Sequence, residues 1–173
     1  MHRLSAFMNA SLKQESSSWP KLSSPSFAKI KSLPMKTTVY HQVAFHEMDP
    51  MGVVWHGNYA NYFELARAAL LRELGLDYIQ MAEMGHQWPV VKLRVKYIRS
   101  ARLNQKLAIT AELKDYKNSL TMTFTIRDAE TNTLITKGET MQMAVNTRTG
   151  ETAITNPAYF IDLISKALNV TEP

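Results

Sequence analysis

The chain has 173 residues, 45% of them apolar, with 20 Lys and Arg against 15 Asp and Glu, which is the length of one ordinary domain. It contains no cysteine, so disulfide scaffolds, Cys-ligated zinc, iron–sulfur clusters and thiol nucleophiles are excluded, and no apolar run approaches the roughly 18 residues of a membrane-crossing helix. Five of the cations lie in residues 1–34 beside a single acid, which leaves the rest a net +1 of the formal +5; a charge gathered in a tail is not the basic face of a nucleic-acid binder.

Residues 1–34 hold nine serines, three prolines and one Glu, with neither helical nor strand periodicity, the composition of a segment that does not pack. Such a tail fits an organellar transit peptide, and a start assigned too early, with Met35 as the true start, fits it equally. It lacks the apolar centre of a secretory signal, so a cytosolic location is expected, with an organelle as the alternative if the tail is a targeting segment. One folded domain is expected over residues 35–173.

Residues 36–45, with Val39, Tyr40, Val43 and Phe45, predict a strand. Residues 58–74 predict the one long helix: Tyr59, Tyr62, Phe63, Ala66, Leu70 and Leu74 recur at three- and four-residue steps, and Gly75 stands where a terminating glycine belongs. Leu65, Ala69 and Leu71 widen the apolar stripe, so other structure is expected to wrap this helix. Asp77 caps a short second helix ending near Gly85. Four strands follow, over residues 90–98, 107–116, 120–128 and 133–146, with strict alternation in the middle two and connections short enough for antiparallel hairpins. Asn156 and Pro157 read as the N-cap and first position of a last helix carrying Phe160, Ile161, Ile164 and Leu168. The order implies an α+β fold, an antiparallel sheet curled around one long helix.

Special residues are densest over residues 49–67, between the first strand and the long helix. Asp49, Pro50 and Gly52 have the preferences of a type I turn that fixes the Asp49 carboxylate, although an Asp there often does no more than bond nearby backbone. At His56, Gly57 and Asn58 the helix begins, with backbone N–H groups unpaired and the helix dipole positive. Gly57, lacking a side chain, leaves room for a substrate carbonyl to approach; equally, these residues could simply start the helix. Jointly, a fixed carboxylate followed seven residues later by an anion-stabilising helix end suits acyl transfer.

The run Asp49, Gly52, Val53, Val54, His56, Asn58, Tyr59, Tyr62, Glu64, Ala66 and Arg67 resembles the 4-hydroxybenzoyl-CoA thioesterase family of hotdog folds, above all its Tol-Pal-associated acyl-CoA thioesterase branch. The likeness extends over about residues 35–168. It departs at Asn104 and Gln105, where the family often has Gly-Asp, which puts the turn there in question. The resemblance implies an acyl-CoA thioesterase in which Asp49 attacks the carbonyl or activates water and the His56 N–H polarises it. Gly52, Val54, Trp55, Asn58 and Tyr59 are the surrounding candidate substrate contacts, although Tyr59 and Tyr62 share the core stripe. Met48, Met51 and Trp55 are candidates for an apolar lining. Arg94, Lys96 and Arg99 are candidates for the coenzyme A phosphates, against the alternative of a solvated strand face.

Glu64 and Arg67, three residues apart, are expected to pair; Glu64 is also the rival catalytic carboxylate. His41 and His46, with neither metal-ligand spacing nor partners, are expected to be structural. No metal and no cofactor beyond the substrate's own coenzyme A are expected. The expected partners are an acyl-CoA and further copies of the chain, as dimer or homotetramer, since a single curled sheet leaves edges exposed. A hotdog dehydratase and a noncatalytic acyl-CoA-binding or interaction protein are the rival readings.

Overall fold

The computed structural model describes residues 35–169; the tail expected to be unpacked, residues 1–34, lies outside them. Strand β1 (Lys36–Gln42) leads through a 3-10 turn (Phe45–Glu47) to helix α1 (Asn58–Glu73) and helix α2 (Tyr78–Glu83). Then come β2 (His86–Gln87), β3 (Val90–Tyr97), β4 (Lys106–Asp115), β5 (Leu120–Asp128), β6 (Leu134–Gln142), β7 (Val145–Asn146) and helix α3 (Ala158–Ala167). A five-stranded antiparallel sheet runs in the order β1-β4-β5-β6-β3, and β2 pairs with β7 in a separate ribbon.

The alternation in β4 and β5 places Leu107, Ile109, Ala111 and Leu113 with Leu120, Met122, Phe124 and Ile126 on the buried face. That face receives α1 through Tyr59, Tyr62, Phe63, Ala66, Leu70 and Leu71. Phe63 stacks on Phe124 with ring centroids 4.6 Å apart. It also occupies the space over Gly138, where a Cβ would lie 2.3 Å from its ring. A glycine in the middle of β6 is what lets the helix sit this close to the sheet. At the end of α1, Gly75 adopts φ +76° and closes the helix as expected.

Several expectations need correction. The first strand stops at Gln42, because Phe45 turns outward into the 3-10 turn. The last strand breaks after Gln142, and Val145–Asn146 turns away to pair with β2. The wrapping of α1 is one-sided among the described residues: Leu65 remains 46% exposed, whereas the charged Arg67 is only 6% exposed. Asn156 is no N-cap; it is buried, accepting from Trp88 Nε1 at 2.8 Å and donating to the Tyr116 carbonyl at 3.0 Å, while Pro157 takes the capping position. At the departure from the family pattern the turn is intact. Asn104 takes the left-handed φ of +63° that a glycine would accept, as Asn can, and the Gln105 side chain ties Arg102 N–H and Asp128 together.

Candidate active site

Asp49 sits at the tip of a small hairpin. Its N–H donates to Val53 O at 2.8 Å, Gly52 N–H returns to Asp49 O at 3.0 Å, and Met48 pairs with Val54 below the turn. One carboxylate oxygen, Oδ1, accepts from Met51 N–H at 2.8 Å and Val53 N–H at 3.4 Å. The turn-bonding role is therefore real, but it uses one oxygen. Oδ2 has no hydrogen-bond partner among the described residues.

The hairpin closes where Trp55 N–H donates to Glu47 O at 2.9 Å, and α1 starts immediately beyond. Neither the His56 nor the Gly57 N–H meets an acceptor among the described residues, as the first donors of a helix are expected to be left. A cavity of about 300 Å³ is lined by Asp49, Met51, Val53, Val54, His56, Tyr59, Tyr97, Ile98, Arg99 and Ser100. The predicted Asp49, His56, Val54, Tyr59 and Arg99 thus share one hollow. Tyr59 forms its floor, buried and edge-to-face with Tyr97 at 5.1 Å; burial pushes its phenol above the ordinary range. Arg99 is oriented by donating to Leu134 O at 2.9 Å.

Other predicted residues lie elsewhere. The space beside Gly57 is filled by Trp55, whose ring would lie 2.2 Å from a Cβ at that position, so the missing side chain makes room for an indole and not for a substrate carbonyl. Asn58 does not line the cavity; its Nδ2 donates to Glu47 O at 2.9 Å. Gly52 lies with Asp49, Met48, Phe45, His46, Pro50 and Leu103 on a second, more apolar hollow. Arg94 and Lys96 border a shallow depression with Lys137 and Glu139, away from Asp49. Glu64 pairs with Arg67 as expected and also accepts from the Tyr78 hydroxyl, which itself accepts from Arg67 Nε at 3.2 Å. The rival carboxylate is occupied and outside the cavity.

Two residues escaped the sequence. Tyr97 donates to the His56 carbonyl at 3.1 Å and forms a cavity wall; on β3 its side chain looks like any strand aromatic. Glu47 is 7% exposed and accepts from Ala44 N–H at 2.6 Å and from His41 Nε2 at 3.0 Å. His41 therefore has a partner, contrary to expectation. Burial works to raise the Glu47 pKa, but the hydrogen bonds from His41 and Ala44 outweigh it and hold the group below the usual carboxylate range. Burial, then the neighbouring Glu47 charge, keep the Tyr62 phenol well above its ordinary range. An acid two residues before Asp49 was the available signal.

A model of the thioesterase-like superfamily matches residues 43–166. The chain is 39% identical over 70 residues to sll0410 of Synechocystis, an esterase by name, covering 40% of this chain and 42% of that protein; it thus spans less than half of that relative's length. It is 33% identical over 118 residues to the acyl-CoA thioester hydrolase YbgC of Escherichia coli, covering 65% of this chain and 86% of the relative. Among solved structures, a DHNA-CoA thioesterase from Staphylococcus aureus superposes with a TM-score of 0.69 at 28% identity, over 78% of this chain and 89% of the other.

Proposed function

This chain belongs to the thioesterase-like superfamily, and on that premise we propose that it hydrolyses an acyl- or aroyl-CoA thioester to the free acid and coenzyme A. The carrying observation is that Asp49 and His56 border one cavity while Asp49 keeps an oxygen free of the turn. That oxygen attacks the thioester carbon or takes a proton from an attacking water. In either case negative charge develops on the carbonyl oxygen, and the unpaired His56 N–H is the donor that meets it, with Gly57 next in the chain. The thiolate of coenzyme A leaves and is protonated, and water supplies the oxygen of the acid. A donor of this kind is typically worth about 3 kcal/mol in the transition state.

Arg99, on the same cavity, is the best-placed cation for the phosphates of coenzyme A. Arg94 and Lys96 reach them when a second copy brings its cavity beside β3. That strand supports assembly of the chain into a dimer or tetramer: it is a sheet edge with Val91 and Leu93 open to solvent, the feature that pairing removes. Purified protein given benzoyl-, butyryl- and decanoyl-CoA is expected to release thiol from at least one, and the ranking defines the acyl group. Tight binding of the intact thioesters with no thiol released would contradict the hydrolase and leave a binding protein.

A further inference from the structure

Catalysis by a backbone N–H needs that N–H aimed, and an amide in a loop has no side chain of its own to aim it. The peptide joining Trp55 to His56 is held at its other end. Asn58 N–H donates to the Trp55 carbonyl at 2.9 Å, and because C=O and N–H point in opposite directions across a trans peptide, fixing that carbonyl fixes the direction of the His56 N–H. The Asn58 side chain reaches the other way, donating through Nδ2 to the Glu47 carbonyl at 2.9 Å. That same carbonyl accepts Trp55 N–H at 2.9 Å. Glu47 stands two residues before Asp49, at the end of the 3-10 turn that leads into the hairpin carrying the carboxylate.

Glu47 is itself fixed from beneath. Its buried carboxylate would be costly if unanswered, and it is answered by His41 from β1 and by Ala44 N–H. The chain of contacts thus runs from β1 through Glu47 to both the Asp49 hairpin and the start of α1. We propose that Asn58 and Glu47 form a clamp that sets the His56 amide at its working distance from Asp49, making both of them positioning residues for the hydrolysis proposed above, on which this role rests.

The test is Asn58→Ala, measured for steady-state kinetics, thermal midpoint and amide hydrogen exchange. Alanine favours a helix more than asparagine does, so a residue that merely starts α1 predicts a variant as stable and as active as the wild type. The clamp predicts kcat reduced about 10-fold with KM within about twofold, a fraction of the loss from deleting an oxyanion donor outright. It also predicts faster exchange at Trp55 N–H while the N–H groups of Phe63 and Leu70 keep their protection. Glu47→Gln, which keeps the carbonyl but removes the charge facing His41, is expected to lower kcat about threefold and to loosen the same N–H.

Unchanged kcat and unchanged Trp55 exchange in Asn58→Ala overturn the clamp. So does a rate loss that only follows a lower thermal midpoint. A wild-type protein that releases no thiol from any of the three thioesters contradicts the hydrolase instead. The clamp is then judged on Trp55 exchange alone, where no change in Asn58→Ala overturns it.

Discussion

Asp49 divides its two oxygens between architecture and solvent, and that division predicts different outcomes for two substitutions. Asn keeps an acceptor for Met51 N–H, whereas Ala abandons it, so Asp49→Ala is expected to be about 1 kcal/mol less stable than Asp49→Asn by thermal or urea unfolding. Equal stabilities would mean that the turn bond contributes nothing. Asp128 gives a pH test. Hydrogen bonds from Gln105, from Thr131 N–H and hydroxyl and from Glu130 N–H hold its pKa at about 2 against an ordinary 3.8. A carboxylate depressed in the folded state stabilises above its unfolded pKa, and that contribution is lost as pH falls through the folded value. The thermal midpoints of wild type and Asp128→Asn should therefore differ fully above about pH 4 and converge as pH falls through about 2. A difference independent of pH would contradict the assignment. At this scale the Asp49 turn was legible because Asp, Pro and Gly each state a backbone preference. The role of Gly57 was not, because what crowds it is the ring of Trp55, a fold-back that no residue spacing encodes.

Strand and helix positions followed from period, since β4 and β5 alternate strictly and α1 repeats every three or four residues. Where tertiary contacts chose the outcome, the period was silent. Nothing in the run of residues 133–146 marks the break after Gln142, where the Gln142 side chain bonds the Trp88 carbonyl and the chain leaves the sheet. Asn156 looked like a cap because it precedes a proline, but the indole of Trp88 and the carbonyl of Tyr116 claim its amide. The close approach of α1 to the sheet depends on Gly138, and a larger side chain there must displace Phe63 or the helix. Gly138→Val is expected to cost about 1–3 kcal/mol through overpacking, read as a lowered unfolding midpoint. Because α1 carries the His56 end of the site, activity should fall with it. A variant of wild-type stability would show that Phe63 has another rotamer available.

The sheet ends in two edge strands, β1 and β3, and on β3 Val91 and Leu93 are 54% and 46% exposed beside Lys92, Arg94 and Lys96. Charges blunt an edge against indiscriminate pairing, while the apolar row between them suits a specific second copy. Val91→Glu with Leu93→Glu is expected to shift the protein toward monomer in sedimentation or light scattering, and a wild type already monomeric at high concentration would contradict the assembly. Arg99→Ala should raise KM about 10-fold with little change in kcat, since Arg99 would hold coenzyme A away from the reacting carbon; an unchanged KM would remove Arg99 from the substrate. Fold class and the pairing of Asp49 with the start of α1 were readable from the motif, but the division of the basic residues between two hollows depends on which face of β3 each one takes and on where the strand ends. The most direct measurement is the rate of thiol release by Asp49→Asn beside wild type on the best of the three thioesters. The proposed mechanism predicts a loss of kcat of about 100-fold or more at an unchanged unfolding midpoint, and a fully active Asp49→Asn enzyme would contradict it.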